Sequence, residues 1–197
     1  MGAGDGGYVL HRARSEPSTL AIAIDASPDA LAAGSWRAKR ARLANAAFLV
    51  EGIERLPSAL AQVADEVTVH FPWGSLLRGV LHGDRAVLGP IAGLLRPHGE
   101  LRLLLSATPR DGFAEATPET LHALAHEYAC LGLELLEVRS ASVSDVAASR
   151  SSWAKRLRRG GLVVFARYSR RSSRRGLTSA GTPCGPQSIH STRKRPS

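Results

Sequence analysis

The 197-residue chain is poor in cysteine, methionine and rings: two Cys, one Met, and an aromatic content of only 5%. Two cysteines, Cys130 and Cys184, cannot build the disulfide framework of a small secreted scaffold or a cysteine-rich metal cluster. Also lacking is any apolar run near the roughly 18 residues that span a bilayer, or a basic stretch leading into an apolar core at the start. A membrane protein is excluded, and a cytoplasmic one is expected. The fourth absence is local. From Arg150 to the C-terminus there is no Asp or Glu, yet 13 of the 26 Lys and Arg lie there, leaving the other 13 to face all 17 acidic residues. The net charge of +9 is therefore a basic terminal quarter on a mildly acidic body, and a polyanion would be met by that quarter.

What is present is the 44% hydrophobic content of an ordinary domain, enough for one core plus a tail. Short apolar runs at Leu20 to Asp25, Ala47 to Val50, Glu66 to Phe71 and Leu101 to Leu105 read as buried parallel strands. Helical spacing falls between them: Pro28 to Leu43 behind an N-cap at Ser27, Leu76 to Leu95, and Thr117 to Leu131. Leu133 to Val138 and Leu162 to Tyr168 are two late strands around a basic segment with helical spacing, Ala147 to Arg159. Strand and helix alternate, so the expected class is α/β, an open sheet with ligands at the C-terminal strand ends. Residues 1–168 are expected to form this domain, and the Ser-, Arg- and Pro-rich stretch 169–197 a disordered basic tail.

The chain opens on a glycine loop, in which Gly2, Gly4 and Gly7 satisfy G-x-G-x-x-G, followed by a helix and a strand ending in Asp25. Such a loop lets a nucleoside cofactor approach the backbone while the acid bonds its ribose; it is also found as an ordinary turn. Asp5 within the loop would repel a pyrophosphate and suit the positive sulfonium and amino-acid end of S-adenosylmethionine, favouring a methyl donor over a dinucleotide.

The segment Phe71-Pro72-Trp73-Gly74-Ser75-Leu76-Leu77-Arg78-Gly79-Val80-Leu81 resembles the corresponding block of the kanamycin and apramycin resistance 16S rRNA (adenine(1408)-N(1))-methyltransferases. Four more blocks in the same order are similar to that family: the loop Gly2 to Gly6, the strand end Ala23 to Ala26, Ile53 to Pro57, and Ser151 to Leu157. The resemblance implies a Rossmann-like class I methyltransferase sheet. Its cofactor would be S-adenosylmethionine, held by Gly2, Gly4, Asp5, Asp25, Ala26, Ile53 and Glu54. Its substrate would be N1 of the decoding-site adenine in 16S rRNA of the assembled 30S subunit, and its product aminoglycoside resistance. Trp73 and Trp153 would stack on the flipped base, with Pro72 fixing the strand exit and Ser152 on the nucleotide's phosphate.

Plainer roles stand beside these. Each Trp can be core, Ser152 a helix cap, and Glu54 a helix-start acid with the backbone at Ile53 meeting the adenine instead. Arg150, Lys155, Arg156, Arg158 and Arg159 can be a solvated helix face or the phosphate contacts, of which Arg156 and Arg159 are the strongest candidates. Trp36 matches no functional block and is read as helix packing. His70, His82, His122 and His126 have no partners at ligand spacing, so no metal is expected. A monomer is expected. The strand that should precede the loop would fall before Met1, so the sheet is expected to lack its first strand and the gene product to begin upstream. The rival reading from another class is an inactive RNA-binding remnant that keeps the basic face but cannot hold the methyl donor.

Overall fold

The computed structural model describes residues 1–107, 111–112, 116–152, 154 and 162–172. The glycine loop runs into α1 (Gly7–Ser15), followed by β1 (Ala21–Asp25), α2 (Pro28–Arg40) and β2 (Ala46–Val50). After two short turns of 3-10 helix come β3 (Ala64–His70), α3 (Gly74–His82), α4 (Arg85–Leu94) and β4 (Leu95–Leu105). Two short helices, α5 (Pro118–Ala123) and α6 (Ala125–Cys130), lead to β5 (Leu133–Ser140), α7 (Val143–Ala148) and β6 (Val164–Arg170).

Every strand expected from the apolar runs is present, and the first two pairs, β1 with β2 and β3 with β4, are parallel. The late strands are antiparallel, in the order β3-β4-β6-β5. β1 and β2 form a separate pair. Residues 1–3 lie between the two sheets: the Ala3 amide donates to the Ile24 carbonyl at 3.1 Å and the Met1 ammonium to the Thr68 carbonyl at 2.8 Å. The glycine loop thus bridges β1 to β3.

The two faces of the larger sheet differ. One carries Val69, Leu101, Leu103, Val164 and Ala166 under α3 to α6, and here Tyr128 stacks on Tyr168 with centroids 4.4 Å apart and donates to the Val80 carbonyl. The other face is crossed by an unbroken chain of ion pairs. It runs from Arg12 on α1 through Glu66 (3.3 Å), Arg102 (3.0 Å), Glu100 (2.9 Å), Arg167 (3.1 Å), Glu137 (3.5 Å) and Arg139 (2.7 Å) to Asp145 on α7 (2.6 Å). Alternation of apolar and charged residues along β6 is the signature of a sheet with one dry and one wet face. A smaller core of Val9, Ala23 and Leu31 holds α1 and α2 to β1.

Four expectations about elements change. The pattern from Leu76 to Leu95 is two helices, because Gly83 takes a left-handed φ of 69° and Asp84 caps a new start by accepting from the Ala86 amide. Thr117 to Leu131 also breaks, at Leu124, whose amide bonds the Leu121 carbonyl one residue short of helical register. The late basic helix starts earlier, at Val143, through a reciprocal Ser142–Asp145 capping box, and ends by Ser149, since Arg150 has φ 50°. Strand β6 continues two residues past Tyr168, with Arg170 paired to Leu133, and residues 173–197 lie outside the described residues. α2 behaves as its sequence indicates: Ser27 accepts from the Ala30 amide, Pro28 fills the first turn, and Arg37, Lys39 and Arg40 sit at the negative end of the helix.

Candidate active site

A cleft of about 250 Å³ opens where β1, β2 and β3 end. Its floor is Gly2, its walls are Ile24, Asp25 and Ala26 after β1 and Glu51 to Glu54 after β2, and its rim is Pro72 to Leu76 at the β3 exit. Seven of the residues singled out in the sequence meet here: Gly2, Asp25, Ala26, Ile53, Glu54, Pro72 and Trp73. Glu51, Gly52, Ser75 and Leu76 belong to the same lining and were not singled out; their positions directly before Ile53 and after Trp73 were the available signal.

The carboxylate of Asp25 is what ties strand to loop. Its Oδ2 accepts from the Gly4 amide at 2.8 Å and its Oδ1 from the Ser27 amide at 2.9 Å, so the acid at the end of β1 is fixed before anything binds. Glu51 is turned toward its neighbours, accepting from the Gly52 amide at 3.0 Å and the Arg55 guanidinium at 2.9 Å. Trp73 is the N-cap residue of α3, 75% exposed at the rim, with its ring free of any burial that a packing role would demand.

Two cofactor residues do not line the cleft. Gly4 spends its amide on Asp25, holding the loop from beneath. Asp5 points behind the loop, where Oδ1 accepts from the Gly7 amide at 3.1 Å and Oδ2 lies 3.6 Å from Arg37 on α2. The unpaired amides at the start of α1 and a neighbouring cation claim this carboxylate more closely than the cleft does. Asp5 instead lines a rear cavity of about 50 Å³ with Tyr8, His70, Ser149 and Ser151. Burial pushes the His70 imidazole down to about 4, with the Met1 ammonium and Arg102 adding to the effect, and the Tyr8 ring meets it edge-on at 4.7 Å.

Ser152 is exposed and lines neither cavity, while its neighbour Ser151 lines the rear one. Trp153, Lys155, Arg156, Arg158 and Arg159 lie outside the described residues. Trp36 is not packed: it is 58% exposed, with the Arg40 guanidinium 4.7 Å above its ring. Spacing arguments also passed over Cys130, whose Sγ lies 3.6 Å from Nε2 of His126 one turn earlier. Among the described residues no group of three or more His, Cys, Asp or Glu is placed to hold a metal, and no helix is long and apolar enough to cross a membrane.

The lining fits an adenosyl sulfonium. Ile24, Ile53 and Leu76 offer apolar faces for a purine, the anchored Asp25 keeps lone pairs for ribose hydroxyls, and three carboxylates near one opening suit a positive centre. The family model described as 16S rRNA (adenine(1408)-N(1))-methyltransferase matches residues 1–168. The chain belongs to that family. A relative of the same name from Streptoalloteichus hindustanus is 33% identical over 169 residues, 80% of this chain and 78% of the relative. One from Escherichia coli is 27% identical over 183 residues, covering 86% and 84%. Among solved structures, a tryptophan-to-alanine mutant of the enzyme from Catenulisporales acidiphilia with its cosubstrate SAM has a TM-score of 0.77 at 30% identity, covering 89% of this chain and 86% of that one. The fold is thus that of S-adenosylmethionine-dependent methyltransferases.

Proposed function

We propose that this chain transfers the methyl group of S-adenosylmethionine to N1 of adenine 1408 in 16S rRNA, acting on the 30S subunit and giving resistance to aminoglycosides. The observation that carries the reading is the exposed Trp73 at the rim of a cleft whose walls are the ends of β1 and β2. When bound, S-adenosylmethionine supplies an electrophilic methyl on a sulfonium. Adenine N1 presents an in-plane lone pair, so no side chain needs to remove a proton first, and the protein's task is orientation. Trp73, with Pro72 holding the strand exit, gives the flipped base a face in exchange for the stacking it leaves, worth about 1–3 kcal/mol per base. The methylated product is cationic and keeps favourable contact with an indole. Asp25, Ala26 and the backbone around Ile53 hold the nucleoside, with Glu51 and Glu54 supplying negative potential.

Contact with RNA phosphates is assigned to Arg150, Lys155, Arg156 and Arg159, with Ser152 and Trp153 completing the grip on the flipped nucleotide. The exposed end of α2 adds a second face: Trp36 under Arg40, with Lys39 and Arg42 beside it, joins an aromatic plane to cations. The enzyme works as a monomer in the cytoplasm, residues 1–168 forming the catalytic domain and 169–197 a basic extension that strengthens RNA association. The test is transfer from radiolabelled S-adenosylmethionine to purified 30S subunits, with primer extension across the decoding-site helix. A new stop at the adenine is expected; label without that stop, or no label, overturns the assignment.

A further inference from the structure

The connection from β5 to β6 is seated on the glycine loop. The Arg150 carbonyl oxygen lies 2.8 Å from where a Cβ on Gly7 would stand, so the first residue of α1 must be glycine for this turn to reach it. The turn is internally braced. Ser149, 1% exposed, donates from Oγ to the Val146 carbonyl at 2.6 Å and accepts from the Ser151 amide at 3.3 Å. Arg150 takes φ 50°, which a non-glycine residue adopts only when its surroundings hold it there.

What holds α7 so that its end arrives at Gly7 is one arginine. Arg139 on β5 donates a fork to both oxygens of Asp145 (2.6 and 3.3 Å), a further bond to Glu137 (2.7 Å) and one to the Ser140 carbonyl (3.2 Å). Its guanidinium lies 4.4 Å over the Phe165 ring on β6. Asp145 in turn accepts from the amide and hydroxyl of Ser142, fixing the first turn of α7. A planar fork stacked on a ring sets orientation as well as distance, which a lysine cannot reproduce.

We propose that Arg139 and Asp145 are positioning residues for methyl transfer. They clamp α7 on β5 and β6 so that Ser149 to Ser151 seat on Gly7, delivering the segment that leads to Trp153 beside the cofactor loop. The inference rests on the proposed function for its effect on catalysis, while the clamp itself is measurable without it. Neither residue touches the cleft, so S-adenosylmethionine affinity and methyl transfer are expected to separate.

The test measures the full chain and its Arg139→Gln, Arg139→Lys and Gly7→Ala variants by hydrogen exchange, calorimetric titration with S-adenosylmethionine, and transfer to 30S subunits. In Arg139→Gln the peptide spanning Ser149 to Ser151 loses about tenfold in protection while β4 and β6 keep theirs. Cofactor affinity stays within about twofold and kcat on 30S falls about tenfold or more, because displacing a substrate segment costs rate rather than cofactor binding. Arg139→Lys recovers part of both losses, and Gly7→Ala, which pushes on the turn from the other side, reproduces them. Unchanged protection in Arg139→Gln overturns the clamp, and a parallel collapse of protection everywhere with cofactor affinity shows a merely structural residue and overturns it too. Normal kcat with lost protection overturns the positioning role. If the unaltered chain binds cofactor but methylates no 30S adenine while Arg139→Gln loses protection, the clamp stands and the assigned substrate falls.

Discussion

A single exposed ring separates function from stability at Trp73. Because it is 75% exposed, Trp73→Ala removes little packing, and the thermal midpoint should shift by no more than the few tenths of a kcal/mol typical of surface changes, about 0.5 at most. Loss of base stacking should lower kcat/KM on 30S by about 5- to 150-fold, the equivalent of 1–3 kcal/mol, with Trp73→Phe intermediate; steady-state kinetics beside calorimetric cofactor titration checks both. His70 gives the opposite kind of prediction. Its folded value of about 4 lies below the unfolded 6.5, so between these pH values the unfolded chain binds the extra proton. Stability from this group is fully present above pH 6.5 and is lost as pH falls toward 4, an effect of up to about 3 kcal/mol. Denaturant midpoints measured from pH 7 to 4 should fall less steeply in His70→Asn than in the unaltered chain; equal slopes would refute the assignment.

At the scale of elements, α2 was legible from end to end because its cap, its first-turn proline and its basic last turn are all local signals. What its pattern did not reveal is that Trp36 faces water: a ring two residues from the buried Ala38 and Gly34 has no sequence mark separating packing from display. If this face meets RNA, removing Lys39, Arg40 and Arg42 together should flatten the salt dependence of 30S binding by about two to three in the log–log slope, at 0.7–0.9 per lost phosphate contact. An unchanged slope would confine RNA contact to the later basic segment. The start of α7 was missed for a related reason. Its capping box is a sequence signal, but the run of arginines beyond it draws attention to the wrong end, and only the left-handed Arg150 shows where the helix stops.

The whole molecule is two unequal parts joined at one end. β3, β4, β6 and β5 share a continuous core, whereas β1 and β2 rest on three fully committed buried side chains and on residues 1–3. Hydrogen exchange should therefore find β1 and β2 opening at lower free energy than β4 and β6. A ligand in the cleft touches the ends of both parts, so saturating S-adenosylmethionine should raise protection in β1 and β2 more than in β4; a uniform or absent rise would place the ligand elsewhere. By itself the sequence determined the strands, the capped helix α2, the Pro72–Trp73 exit and the acid at Asp25, because apolar runs, caps and short motifs act over a few residues. Only the tertiary structure decided which way side chains look. Asp5 turns from the cleft to cap α1 and meet Arg37, the outer face of the large sheet stays wet under a relay of ion pairs, and Arg139 reaches through Asp145 to seat a distant turn on Gly7. Those outcomes depend on competition among partners far apart in the chain, and no local pattern records which partner wins.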